Sequence, residues 1–194
     1  MKGCRPLTSD EVELTAKTFG GPFAARDRAL FLLGVRSGFR ISELLSIRLA
    51  DVLQAGRLVD RVAVQRRNMK KKTEGRTVLL HPEAKAALEV WIADLKAAGY
   101  MTADAYVFQS RKGQNRPISR QQAHRILSGA YSVNGMTGNL GTHSMRKTFA
   151  NRVYDALGGD LVKTAKALGH RNLNSTGAYL SFREEEIDAA ILTM

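Results

Sequence analysis

The chain has 194 residues, 44% of them apolar, enough for one well-buried domain or two small ones. Lys and Arg number 30 against 18 Asp and Glu, a net charge of +12 that favours polyanionic partners, nucleic acid first. The single cysteine, Cys4, excludes an intrachain disulfide and a cysteine-based zinc cluster. No apolar run approaches the roughly 18 residues of a membrane span, and the first residues carry no secretory segment, so a soluble protein of the cell interior is expected, with no membrane partner.

Helical signals dominate in chain order. Thr8 and Glu11 form a capping box ahead of VELTAKTF, and Gly20, Gly21 and Pro22 interrupt that helix. AARDRALFLLGVRSG carries an apolar stripe through Leu30, Leu33 and Val35 and stops at Gly38, which places Arg40 at the start of a helix in ISELLSIRL. Over residues 59–80 the pattern changes to short β-like runs, RVAVQR and RTVLL, joined by the polar stretch NMKKKTEG, a predicted hairpin with lysines at its turn. Pro82 suits the first turn of a helix that ends at Gly99 and turns Leu88, Trp91, Ile92 and Leu95 to one side.

AYVFQS reads as a third short strand, followed by the basic loop RKGQNRP and a helix capped by Ser119, whose arginines suit a phosphate backbone. A further helix holds His143 and Arg146, and DLVKTAKALG makes another that ends at Gly169, directly before His170. The expected class is mainly α with a small antiparallel β-sheet, an α+β chain, and no repeat or linker argues for more than one compact domain.

The chemistry-bearing residues are arginines, histidines and a tyrosine. His143 and Arg146 are three apart, so on a helix they share a face and can address one anionic group. Arginine suits phosphate because its planar guanidinium donates paired hydrogen bonds and keeps its charge. When a phosphodiester is attacked, negative charge builds on its non-bridging oxygens, and fixed donors there stabilise the transition state more than the ground state. Taken alone, Tyr179 is a packing residue and the His143/Arg146 pair an exposed basic face; their joint recurrence with Arg40 suggests a phosphate-handling set.

Four stretches in order, SGFRISELLSIRLADV, the lysine hairpin ending RTVLLHPEA, HSMRKTFA and LGHRNLNSTGAYLSF, resemble the catalytic domain of the tyrosine recombinases, the phage integrase family of DNA strand-exchange enzymes. The resemblance implies that family's catalytic-domain fold, with Arg40 as the first catalytic arginine, His143 and Arg146 as the HxxR pair, His170 as a phosphate-contacting histidine and Tyr179 as the nucleophile. Glu43, one helical turn beyond Arg40, is placed to orient it. A hairpin lysine would serve as general acid. Counting back from Arg76 favours Lys70 or Lys71, the Lys-Thr dipeptide favours Lys72, and strand alternation puts Lys70 and Lys72 on one face.

The implied reaction is two transesterifications at double-stranded DNA recombination sites, through a 3′-phosphotyrosine and with no cofactor or metal. A phenol, with a pKa of about 10, needs a base at neutral pH, and His143 is the candidate. The runners-up are type IB topoisomerase-like relaxation and a non-catalytic basic DNA-binding module. Lys147 stands where many relatives have another histidine, and Leu79 where proline is common. The similarity begins at PLTSDEVE, leaving no room for a helical core-binding domain, so a fragment or minimal member is expected. The tail, residues 180–194, reads as an amphipathic helix bearing Ile187 and Ile191 that either packs in cis or docks on a neighbouring protomer. The resemblance implies a homotetramer on paired sites, a monomer being compatible with the DNA-free state, and a cytoplasmic, nucleoid-associated protein.

Overall fold

A computed structural model describes residues 3–64, 76–112, 115–170, 172–180, 188 and 191–193. The chain divides into two compact units, Met1–Phe149 and Ala150–Met194.

In the first unit, α1 (Ser9–Thr18) starts on the expected capping box: Glu11 N–H donates to Thr8 Oγ1, and Thr8 N–H donates to the Glu11 carboxylate. Helix α2 (Ala24–Ser37) buries Leu30, Phe31, Leu32, Leu33 and Val35, so it is apolar on nearly every face. Such a helix belongs at the centre of a core, where each large side chain contributes about 1.5–3 kcal/mol on burial. Its main neighbour is α5 (Pro82–Ala97), which begins with Pro82 in the first turn and buries Leu88, Trp91, Ile92 and Leu95, as the apolar spacing predicts. Trp91 Nε1 donates to the Val107 carbonyl at 2.6 Å, satisfying the buried indole.

Among the described residues between these helices lie two short ones, α3 (Ile41–Leu44) and α4 (Leu49–Val52), and two separate antiparallel pairs of strands. ISELLSIRL is therefore not one helix. After α3 the chain turns so that Val107 N–H can donate to the Ile47 carbonyl, and a bridge between Arg48 and Tyr106 follows. Strands β1 (Leu53–Gln54) and β2 (Arg57–Leu58) form a hairpin too short to produce a periodic signal. Strands β3 (Arg61–Val64) and β4 (Arg76–Leu79) pair antiparallel, Arg61 opposite Leu79, and are the two arms of the expected hairpin. Lys70, Lys71 and Lys72 lie outside the described residues. AYVFQS is not a third strand: Tyr106 and Gln109 make only isolated bridges, the latter to Pro117. Helix α6 (Arg120–Val133) follows its Ser119 cap, and α7 (Thr142–Ala156) carries Met145, fully buried in the first unit's core.

The second unit contains α8 (Leu161–Leu168) and α9 (Leu173–Gly177), which pack together. Asp160 caps α8 through the Lys163 N–H, and Gly169 ends it in the left-handed region at φ 66°. Thr164, Ala165, Leu168, Thr176 and Leu180 are buried. The sequence does not announce α9, since LNSTG has no apolar period. Of the tail, only 180, 188 and 191–193 are among the described residues, so the expected helix with Ile187 lies largely outside them; Ile191 is exposed.

Candidate active site

The first group of candidate residues is organised by the end of α2. Gly38 takes φ 62°, donates its N–H to the Gly34 carbonyl and so stops the helix. A Cβ there would collide with the Phe149 ring, so the position needs glycine for its backbone and for its closeness to α7. Two residues on, Arg40 is extended (φ −68°, ψ 150°) and forms the N-cap of α3. Glu43, only 3% exposed, holds it from both ends: one carboxylate oxygen accepts from Arg40 N–H at 2.7 Å, the other from Arg40 Nη1 at 2.8 Å. The Arg40 side chain remains about one-third exposed, at 34%.

Arg146 and His143 come from α7, one turn apart. Arg146 is 1% exposed, and its Nη1 donates to the Gly38 carbonyl. A guanidinium is rarely buried so deeply without partners that offset its desolvation, and a carbonyl released by the left-handed turn is one such partner. His143 is exposed but held below the ordinary histidine pKa, first by partial desolvation and then by the positive charges of Arg146, Arg40 and Lys147. Residues more than a hundred positions apart in sequence therefore share one electrostatic environment.

The second group lies in the second unit. His170 follows the Gly169 turn and donates its N–H to the Ala165 carbonyl at 2.9 Å. Its Nδ1 is 2.9 Å from Thr176 Oγ1, and its ring centroid is 5.2 Å from that of Tyr179 at an interplanar angle of 42°. Tilted rings at this separation attract through edge and face. The Tyr179 backbone is fixed on both sides: its N–H donates to the Thr176 carbonyl at 2.9 Å and its carbonyl accepts from Asn151 Nδ2 at 3.1 Å. Both rings are half-buried.

Arg40, Glu43, His143 and Arg146 thus gather in the first unit, and His170 with Tyr179 in the second. The Gly38 carbonyl, Thr176 and Asn151 support these groups without having been singled out from the sequence. For Gly38 the helix-stop signal was present, but a backbone acceptor leaves no residue-type mark. Thr176 and Asn151 lie in stretches whose side-chain directions only folding defines. Among the described residues, no cluster of three or more His, Cys, Asp or Glu side chains is placed to hold a metal ion, and no helix is long and apolar enough to cross a membrane.

Comparison with known proteins gives a consistent match. The model of the phage integrase family matches residues 5–186. The probable integrase/recombinase YoeC of Bacillus subtilis (strain 168) is 31% identical over 165 residues, covering 85% of this chain and 82% of the relative. The type 1 fimbriae regulatory protein FimB of Escherichia coli (strain K12) is 30% identical over 89% of this chain and 82% of its own. Tyrosine recombinase XerC of Bacillus pumilus (strain SAFR-032) is 29% identical over 89% of this chain, which spans only 55% of it. Among solved structures, the XerH site-specific recombinase in a post-cleavage complex with a palindromic difH substrate has a TM-score of 0.75 at 22% identity, with 96% of this chain and 51% of XerH covered. XerA recombinase gives 0.75 at 20% identity, over 98% of this chain and 64% of XerA. The fold is that of the tyrosine recombinase catalytic domain.

Proposed function

The chain belongs to the phage integrase family of site-specific recombinases, and from that membership we propose that Tyr179 is the nucleophile of DNA strand exchange. The observation that carries the reading is the convergence of Arg40, His143 and Arg146 on one electrostatic environment in the first unit. Such a group suits a phosphate whose non-bridging oxygens gain charge during attack.

Tyr179 Oη attacks the phosphorus, the bond from phosphorus to the 5′ oxygen breaks, and a 3′-phosphotyrosine forms. His143, kept neutral at neutral pH by its depressed pKa, takes the phenol proton. One of Lys70, Lys71 and Lys72 donates a proton to the departing 5′ oxygen. Arg40 and Arg146 stabilise the phosphoryl charge, Glu43 positions Arg40, and His170 hydrogen-bonds the phosphate. A second 5′-hydroxyl then attacks the phosphotyrosine and releases Tyr179. One phosphoester replaces another, so the reaction needs no nucleotide hydrolysis, and the arginines do the work that a divalent ion does in other phosphoryl transfers. The substrate is double-stranded DNA at recombination sites, with the active assembly a homotetramer on paired sites.

A nicked suicide substrate tests this. Wild type should accumulate a covalent protein–DNA adduct in EDTA and Tyr179→Phe should form none; adduct formation undiminished in Tyr179→Phe refutes the assignment. Relaxation of supercoils without recombination of paired sites would reassign the chemistry to a topoisomerase.

A further inference from the structure

Thr176 lies in α9 with none of its surface exposed, and its Oγ1 is 2.9 Å from His170 Nδ1. Among the described residues, this nitrogen is the one hydrogen-bond partner of the Thr176 hydroxyl. A hydroxyl carries one hydrogen, and burying that hydrogen away from any acceptor is unfavourable. The contact satisfies it only if Thr176 is the donor and Nδ1 the acceptor. Nδ1 is then unprotonated, and in the neutral ring the proton resides on Nε2. The opposite arrangement, with Nδ1–H donating to Oγ1, strands the hydroxyl hydrogen in a site closed to solvent.

We propose that Thr176 is a positioning residue for strand cleavage: by donating to His170 Nδ1 it holds His170 in the Nε2–H tautomer, so that the ring meets the phosphate as a donor and not as a base. This rests on the reading of His170 as a phosphate-contacting group. With Nδ1 committed to Thr176, the imidazole can address a substrate oxygen only through Nε2, and Nε2–H matches the negative charge that develops there. A protonated Nε2 cannot take the phenol proton, which leaves that task to His143. The tilted Tyr179 ring, 5.2 Å away, limits ring rotation on a second side. Two histidines of one residue type thereby receive different work, a division set for His170 by its neighbour and not by its own chemistry.

The test uses the full chain with isotope-labelled histidine, the His170 ring resonances being identified among the 4 histidines by their loss in His170→Gln. Ring-nitrogen shifts should show an unprotonated Nδ1 and a protonated Nε2 in wild type and in Thr176→Ser, and a mixture of tautomers in Thr176→Val, which has the same shape without the hydroxyl. On the nicked suicide substrate, Thr176→Val should cleave about 10- to 100-fold more slowly with unchanged DNA affinity, while Thr176→Ser keeps most of the rate. The proposal is overturned by an Nδ1–H tautomer in wild type, by a tautomer in Thr176→Val that does not change, or by a changed tautomer with an unchanged cleavage rate. It is also overturned if Thr176→Ser loses as much as Thr176→Val. Absence of any wild-type adduct would instead overturn the strand-cleavage reading, a failure that the nitrogen shifts separate from a wrong tautomer.

Discussion

Replacing Glu43 by alanine removes a carboxylate that is 3% exposed and holds Arg40 at both its backbone and its side chain. Three contributions disappear. The hydrogen bond to the N-cap N–H of α3 is worth about 1 kcal/mol. The bond to the guanidinium, in the interior worth about 1.5–3 kcal/mol, shrinks to about 0–1 kcal/mol because Arg40 is 34% exposed and water can replace its partner. The buried side-chain methylene adds about 0.8 kcal/mol. Glu43→Ala should therefore destabilise the first unit by about 2–3 kcal/mol. Trp91, the one tryptophan of the chain, is buried in that unit and reports its unfolding in urea by fluorescence. Adduct formation should fall further than stability explains, by about 100-fold at temperatures where the variant is folded, because an Arg40 free to wander by an ångström no longer meets the phosphate in register. A loss below about 0.5 kcal/mol together with a wild-type cleavage rate would refute the reasoning that Glu43 positions Arg40.

Other consequences can be checked independently. Because the His143 pKa is depressed in the folded chain, the unfolded state binds more protons as pH falls below the ordinary value of about 6.5. Its contribution to stability is therefore intact above that pH and lost as pH drops through the folded value. Titration of the His143 ring resonances should give a midpoint below about 6.5, and Lys147→Gln should move it up only part of the way, since burial is the larger cause; a midpoint at or above the ordinary value contradicts this. Gly38→Ala meets both a left-handed backbone and the Phe149 ring, so it should cost more than about 1 kcal/mol in urea unfolding and slow cleavage through the Arg146 contact; a neutral variant would show that α2 and α7 can separate freely. Among Lys70, Lys71 and Lys72, the general acid is the lysine whose alanine variant has its cleavage rescued by a 5′-thio leaving group, and no rescue in any of the three argues against a lysine in that role.

The local events were written plainly in the chain. The Thr8–Glu11 capping box, the Gly38 and Gly169 helix stops, Pro82 and the Ser119 cap depend on groups within a few residues of one another, so they can be read from short stretches of sequence. The apolar period of PEAKAALEVWIADLKAAG likewise predicts which side of α5 is buried. The short pieces were harder to see. ISELLSIRL has helical spacing, yet the Ile47 carbonyl is taken by Val107 N–H, and AYVFQS has strand character, yet its neighbours allow only isolated bridges. In both, partners distant in sequence outweigh weak local preference.

The candidate site divides in the same way. Residue type and spacing singled out Arg40, His143, Arg146 and Tyr179, because phosphate chemistry draws on few side chains and helices place i and i+3 on one face, and the resemblance to the tyrosine recombinases added Glu43 and His170. Which atom each of them faces was decided only by the tertiary structure. Arg146 donates to a backbone carbonyl 108 positions away, and Thr176 reaches back over six residues to one nitrogen of His170. A hydrogen bond depends on distances and directions of a few tenths of an ångström, which a one-dimensional pattern does not encode. The chain by itself determined what chemistry is available; the packing of α2 against α5 and α7, and of α8 against α9, decided how those groups are held.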